Sequence, residues 1–274
     1  MASPLFPRAH ALALALLVGL GPTLKARADP HSLLASPHNL LETRLLRSAG
    51  GWTALLLLAL AVAALPLCRP TAGAVGRAAA RWAVGAALGR GAPCWLGDAL
   101  DAATGRCWAR GVIHGGTLLL PYSDPQSCRS HGHRWEGFGV SPQAFALVHC
   151  GLGLAEEVGA LGVLLRSPSP IAPSLMGPPS PMAPPPPSVG PPWQEEPIEE
   201  PKRPGTALSL LFLLNVALIL LWHFLLAVTL TYRHDWPRNA AGAAIGWASW
   251  AITYRCWYRY PWSPGPPGLG LPAP

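Results

Sequence analysis

The stretch PGTALSLLFLLNVALILLWHFLLAVTLTY, Pro204 to Tyr232, decides the fold, because it runs for 29 residues between Arg203 and Arg233 without one formal charge. At about 1.5 Å of rise per residue, such a run exceeds the roughly 30 Å of hydrocarbon in a bilayer. The 21 residues from Ser48 to Cys68, between Arg47 and Arg69, repeat the pattern. Hydrocarbon offers no water to backbone amides, so both runs read as helices.

Composition widens this reading to the whole chain. Half of the 274 residues are hydrophobic and 12% are charged, the mean hydropathy is +0.29, and a soluble domain carries about 25% charged residues. Further apolar segments follow from this. Gly137 to Ala155 is one, and Asn239 to Tyr254, which ends in the aromatic group Tyr254, Trp257, Tyr258 and Tyr260, is another. Such aromatics suit the headgroup level. Ala9 to Leu24 reads as an uncleaved anchor rather than a secretory signal, since Lys25 and Arg27 put charge just before the small-residue site Ala26-Arg27-Ala28. Val75 to Leu100 is the weakest segment, interrupted by Arg77, Arg81 and Arg90. The fold class expected is therefore all-α, a polytopic membrane helical bundle of about six transmembrane helices.

The net charge of +7 comes from 20 basic residues scattered among the loops. No basic-aromatic platform appears, so no nucleic-acid function is expected. Lys and Arg are balanced between alternate loops, and the positive-inside rule does not orient the chain. Ser167 to Gly205 carries fifteen of the 33 prolines and the acidic patch Glu195, Glu196, Glu199 and Glu200, and reads as an extended spacer that cannot bury a core. The pattern Gly242-x-x-x-Gly246 gives Asn239 to Tyr254 a small-residue face, read as packing within one bundle rather than as a dimer seam.

Cys107 and Cys128 lie in the polar segment between the third and fourth spans. They are free either to bridge or to remain thiols. Cys128-x2-His131-x-His133 lacks the spacing of a closed zinc site, so no metal is expected. Polar groups within apolar segments are functional candidates by default. They are Gln143, His149 with Glu156 and Glu157, Asn215 with His223, and His234. Gln143 opens one span and His234 closes another, so the two are candidates for a shared site. On a continuous helix His223 and His234 would share a face, whereas Glu156 and Glu157 read as a helix end. No nucleophile elbow, phosphate-binding loop, dinucleotide fingerprint or metalloprotease helix occurs, and no cofactor is expected. A channel or transporter would line several spans with charge, which this chain does not do.

These residues carry a resemblance. Ser36-Pro-His-Asn-Leu-Leu before Gly51-Trp52-Thr53, Trp135-Glu-Gly-Phe-Gly-Val-Ser141 leading to Phe145, Ala155-Glu156-Glu157, Phe212-Leu-Leu-Asn215-Val, Tyr232-Arg233-His234 and Pro261-Trp262-Ser263-Pro264-Gly265 are similar to the fat storage-inducing transmembrane proteins. The likeness spans nearly the whole chain and departs over Ser167 to Gly205, where that family has a short connection.

The resemblance implies an endoplasmic reticulum membrane protein with six spans and cytosolic termini. On that basis residues 1–166 hold four helices with a luminal loop at 101–136, 167–205 form a cytosolic Pro-rich loop, 206–256 hold two helices, and 257–274 form a cytosolic tail. It further implies binding of diacylglycerol and triacylglycerol and a part in lipid droplet formation, for which Asn215 and His223, as polar groups within an apolar span, are the lipid-binding candidates. The family is distantly similar to lipid phosphatases, in which one His attacks phosphorus and another protonates the leaving group. His234 matches the nucleophile, while Gln143 stands where the family has its other His. An amide has no proton to give near neutral pH, and losing a positioned general acid costs roughly 10²- to 10⁴-fold in rate. The expectation is a lipid binder, with an acyl-CoA diphosphatase acting through His234 as the alternative.

Overall fold

A computed structural model describes residues 5–29, 31–36, 39, 41–68, 71–109, 118–166, 205–233 and 235–268. Eight α-helices appear in it: α1 Leu5–Gly19, α2 Gly21–Ala26, α3 Ala49–Cys68, α4 Ala72–Thr104, α5 Pro125–Ser130, α6 Pro142–Arg166, α7 Thr206–Tyr232 and α8 Trp236–Trp250. A π-helical turn, Ala251–Cys256, continues α8. Three strands, β1 Arg106–Trp108, β2 Leu119–Leu120 and β3 Arg134–Glu136, form an antiparallel sheet ordered β2-β1-β3 between α4 and α6. The loop expected there thus carries a small β element of its own.

The bundle is built around α6. Of the span Pro142–Val163, 72% is buried, against 28% for Ala49–Pro66 and 39% for Thr206–Tyr232. Leu147, Leu152, Leu154 and Val158 of α6 pack into one core with Leu60 of α3 and Trp222, Leu225 and Leu226 of α7. By contrast, α3 and α7 turn Leu55, Val62, Leu210, Leu213 and Leu220 outward. A helix apolar all round and only partly covered by protein is a membrane helix.

Among the described residues three helices, α3, α6 and α7, are long and apolar enough to cross a bilayer. The first expected span is divided, because α1 ends at Gly19 and α2 begins at Gly21-Pro22, leaving 15 residues in α1. The run Asn239 to Tyr254 is divided between the 15-residue α8 and the π-helical turn. Val75 to Leu100 lies within a single 33-residue helix, α4, which carries Arg77, Arg81 and Arg90 along its length. Arg77 and Arg90 are exposed, but Arg81 is buried.

The small-residue face of α8 packs on α6 of the same chain. A Cβ on Gly242 would stand 2.3 Å from the Ser141 carbonyl oxygen, and one on Gly246 2.6 Å from that of Phe145. The Ser141 amide donates to the Arg238 carbonyl at 3.1 Å, fixing the start of α6 against the start of α8.

Candidate functional site

Between α3, α4 and α6 lies a cavity of about 160 Å³, walled by Leu57, Leu60, Val62, Leu65, Ala78 and Trp82. Its origin is local sequence. The α4 stretch from Ala72 to Gly91 is dominated by Ala and Gly, while the Trp82 indole N–H donates to the Ala54 carbonyl at 2.7 Å and holds α4 to α3. Leucines on α3 facing alanines on α4 leave space that no side chain fills. The exposure of Leu58, Val62 and Val75 along its wall opens the cleft outward between α3 and α4.

Polar groups enter this cavity from α4, α6 and the C-terminal end: Arg81, His149, Glu157, Tyr254 and Gly268. The Arg81 Nε–H donates to Glu157 Oε1 at 3.0 Å, with side chains 5% and 13% exposed. Its Nη1 donates to the Pro264 carbonyl at 3.2 Å and its Nη2 to that of Gly268. Removing one partner of such a buried pair costs about 3–5 kcal/mol, since the other charge is left uncompensated. Beside it, Arg255 donates to Glu156 at 2.6 Å and stacks over Trp250 at 5.0 Å. The two glutamates therefore do not mark a helix end. They lie within α6, nine and ten residues before Arg166, and each holds an arginine from another element. The signal that could have found them is charge arithmetic, since two carboxylates in an apolar span call for two nearby cations.

Tyr258, outside the spans, is buried with its hydroxyl lacking a hydrogen-bond partner. Burial, followed by the neighbouring Glu157 charge, pushes its phenol up to about 12.

The other candidates fall elsewhere. The Asn215 amide donates to Leu56 O at 3.3 Å and to Leu211 O at 2.8 Å, tying α7 to α3, as the Trp222 indole does through Thr53 Oγ1 at 3.0 Å. The Nδ1 of His223 meets its own helix at Ile219 O, 2.9 Å away, and its ring stands edge-on to His10 at 4.5 Å. Neither Asn215 nor His223 lines the cavity. His234 lies outside the described residues. The continuous-helix geometry for His223 and His234 does not hold, because α7 ends at Tyr232 and Arg233 is extended (φ −109, ψ 152). The Asn239 amide draws in that bend by donating to the carbonyls of Thr229 at 3.3 Å and Arg233 at 2.9 Å. Gln143 is the second residue of α6. The Ser141–Arg238 bond sets that end of α6 beside the α7–α8 bend.

Cys107 and Cys128 are joined by a disulfide, with 5.8 Å between their Cα atoms. Cys128 therefore has no thiolate to offer a metal beside His131 and His133, which pack instead on Tyr122. No metal-sized cluster of His, Cys, Asp or Glu occurs among the described residues. The bridged unit is anchored to α4 through the Trp135 indole on Asp101 O at 3.1 Å and the Phe138 amide on Thr104 Oγ1 at 2.8 Å. At its helix α5, the Ser127 amide donates to Asp124 at 2.7 Å and holds that carboxyl below its ordinary value.

Comparison with known proteins supplies the lineage. The chain is 33% identical over 274 residues to fat storage-inducing transmembrane protein 1 of Homo sapiens, covering 99% of this chain and 80% of that protein. It is 30% identical to the same protein of Danio rerio, covering 97% of this chain and 85% of that one. The similarity to acyl-coenzyme A diphosphatase FITM2 of Homo sapiens is lower, 25% over 87% of this chain and 78% of that protein. No protein-family model and no solved structure matches the chain. With a buried helical bundle, three helices fit to cross a bilayer and this identity along almost its full length, the chain belongs to the fat storage-inducing transmembrane family, with its higher identities to protein 1.

Proposed function

We propose that this protein is a multi-pass membrane protein of the endoplasmic reticulum that binds diacylglycerol and triacylglycerol and promotes their partition into forming lipid droplets. The observation that carries this reading is the cleft between α3, α4 and α6, apolar along its walls and polar at one end. That division matches an acylglycerol, which has apolar chains and a polar glycerol ester region. A cavity of about 160 Å³ is close in size to engineered cavities of about 150 Å³ that hold one benzene-sized group. It therefore takes the ester region and the first carbons of one chain, while the remainder extends past Leu58, Val62 and Val75 into the bilayer. Apolar burial at about 25 cal/mol per Å² supplies the affinity, and the polar end fixes orientation.

The test is binding of labelled dioleoylglycerol and trioleoylglycerol to purified protein in micelles, comparing Leu60→Trp, which fills the cleft, with Leu214→Trp on the exposed face of α7. Binding should fall about tenfold for the first only, a change of about 1.4 kcal/mol. Equal binding by both variants sinks this placement of the lipid.

A second reading, cleavage of acyl-CoA, is favoured by the contact that sets the Gln143 end of α6 beside the α7–α8 bend. With Gln143 in place of a general acid, the unmodified protein should cleave acyl-CoA at near background. Gln143→His should raise the rate, and His234→Ala should then abolish the gain. Cleavage by the unmodified protein that His234→Ala removes, and Gln143→His does not improve, establishes the enzyme instead.

A further inference from the structure

The polar end of the cleft is occupied by the chain itself. Arg81 is buried and neutralised by Glu157, and two of its remaining N–H groups point at backbone carbonyls of Pro264 and Gly268. The Gly268 amide in turn reaches Glu157 Oε2 at 3.5 Å. Residues 264–268 read Pro-Gly-Pro-Pro-Gly. Three prolines remove three amide donors and leave a segment dominated by carbonyl acceptors. Positive φ at Gly265 (+82) and Gly268 (+116) lets this short strap turn its carbonyls inward, a conformation that side chains resist.

We propose that Arg81, neutralised by Glu157, is the anchor for the ester carbonyls of a neutral acylglycerol, and that the strap Pro264–Gly268 occupies this anchor until the lipid displaces it. The inference rests on the lipid-binding reading above and names its specificity and its gate. Carbonyl oxygens of the strap and of an ester are neutral acceptors of the same kind, so each satisfies the guanidinium equally. A phosphate or carboxylate head would instead bring an unpaired negative charge beside Glu157 into a water-poor site, which is costly. The anchor therefore selects neutral over anionic lipids. The strap is tied to Arg81 and Glu157 by these hydrogen bonds, its body is prolines and glycines, and Trp262 beside it is exposed, which suits it to displacement. Its own carbonyls return to water when it leaves.

The test locks the strap. A Cβ on Gly268 would lie 4.0 Å from that of Ala160, within the roughly 3.5–4.5 Å span of a disulfide. Gly268→Cys with Ala160→Cys, in the full chain with Cys68, Cys94 and Cys256 replaced by serine, is compared oxidised and reduced beside the same chain carrying Gly268→Cys alone, so that strain at position 268 and opening of the Cys107–Cys128 bridge are common to both. Dioleoylglycerol binding in micelles should fall about tenfold or more on oxidation and return with reductant, because a ligand competing with a fixed occupant loses its site. A chain ending at Trp262 should bind severalfold more tightly than the full chain. Phosphatidic acid should bind about tenfold more weakly than dioleoylglycerol, and Glu157→Gln should narrow that gap. Equal, measurable diacylglycerol binding by the locked and reduced forms overturns the gate alone, as does a tail that never crosslinks. Equal binding of phosphatidic acid overturns the neutral-lipid anchor. Absence of neutral-lipid binding in every form overturns the function reading and this inference with it.

Discussion

Adding one methyl group to the α6–α8 seam should open the end of the bundle that carries Gln143. In Gly242→Ala the new Cβ stands 2.3 Å from the Ser141 carbonyl oxygen and 3.4 Å from the Ala144 Cβ. The nearest obstacle is backbone, so no rotamer change relieves it, and the helices must part by about 1 Å to reach ordinary contact. Overpacking of this kind costs about 1–3 kcal/mol. Parting also strains the Ser141 amide bond to Arg238, which is 3.1 Å long before the change. Gly85→Ala and Gly91→Ala, on α4, are the internal controls, since a Cβ there meets nothing within 4 Å. Those two should be neutral or slightly stabilising, because alanine is favoured over glycine in a helix by roughly 0.5–1 kcal/mol. The assay is thermal unfolding in detergent, where about 1 kcal/mol moves the midpoint by about 2–4 °C in a chain of this size. Gly242→Ala should fall by several degrees while the controls hold or rise. A midpoint for Gly242→Ala equal to those of the controls refutes the close α6–α8 approach.

Thiol alkylation of non-reduced membranes should leave Cys107 and Cys128 unmodified, and Cys107→Ser should cost about 3 kcal/mol in the loop unit, whose bridged residues are 21 apart; recovery of both as free thiols rules the bridge out. Tyr258→Phe removes a buried hydroxyl without a partner, so it should leave stability unchanged or raise it by about 1 kcal/mol. In the unmodified protein Tyr258 should ionise near pH 12 rather than 10 in an ultraviolet titration. Because folding raises its pKa, Tyr258 has no pH-linked effect on stability below pH 10, and the folded state is progressively destabilised as pH rises from 10 through 12. Deleting residues 167–205 should leave membrane insertion and lipid binding intact, measured by carbonate extraction and by the micelle binding assay. Loss of insertion shows that the Pro-rich segment is structural.

Sequence alone determined the solvent and the class. Runs of 21 and 29 residues without charge have no stable home in water, whatever packs against them, so α3 and α7 could be read directly. Gly242 and Gly246 announced a close helix contact by size alone. What the sequence could not give was the partner, and α6 proved to be it. The ends of α1 and α8 were also beyond it, because hydropathy measures only solvent preference. The Gly21-Pro22 break that ends α1 and the turn that continues α8 are choices of backbone hydrogen bonding. Tertiary structure alone joined Arg81 to Glu157 across 76 positions and to carbonyls 183 and 187 positions away. Read in sequence order, Arg81 weakens a span and Glu157 ends one. In the fold, each charge is what makes the other's burial tolerable, and a pairwise electrostatic energy depends on a distance that no linear order of residues contains.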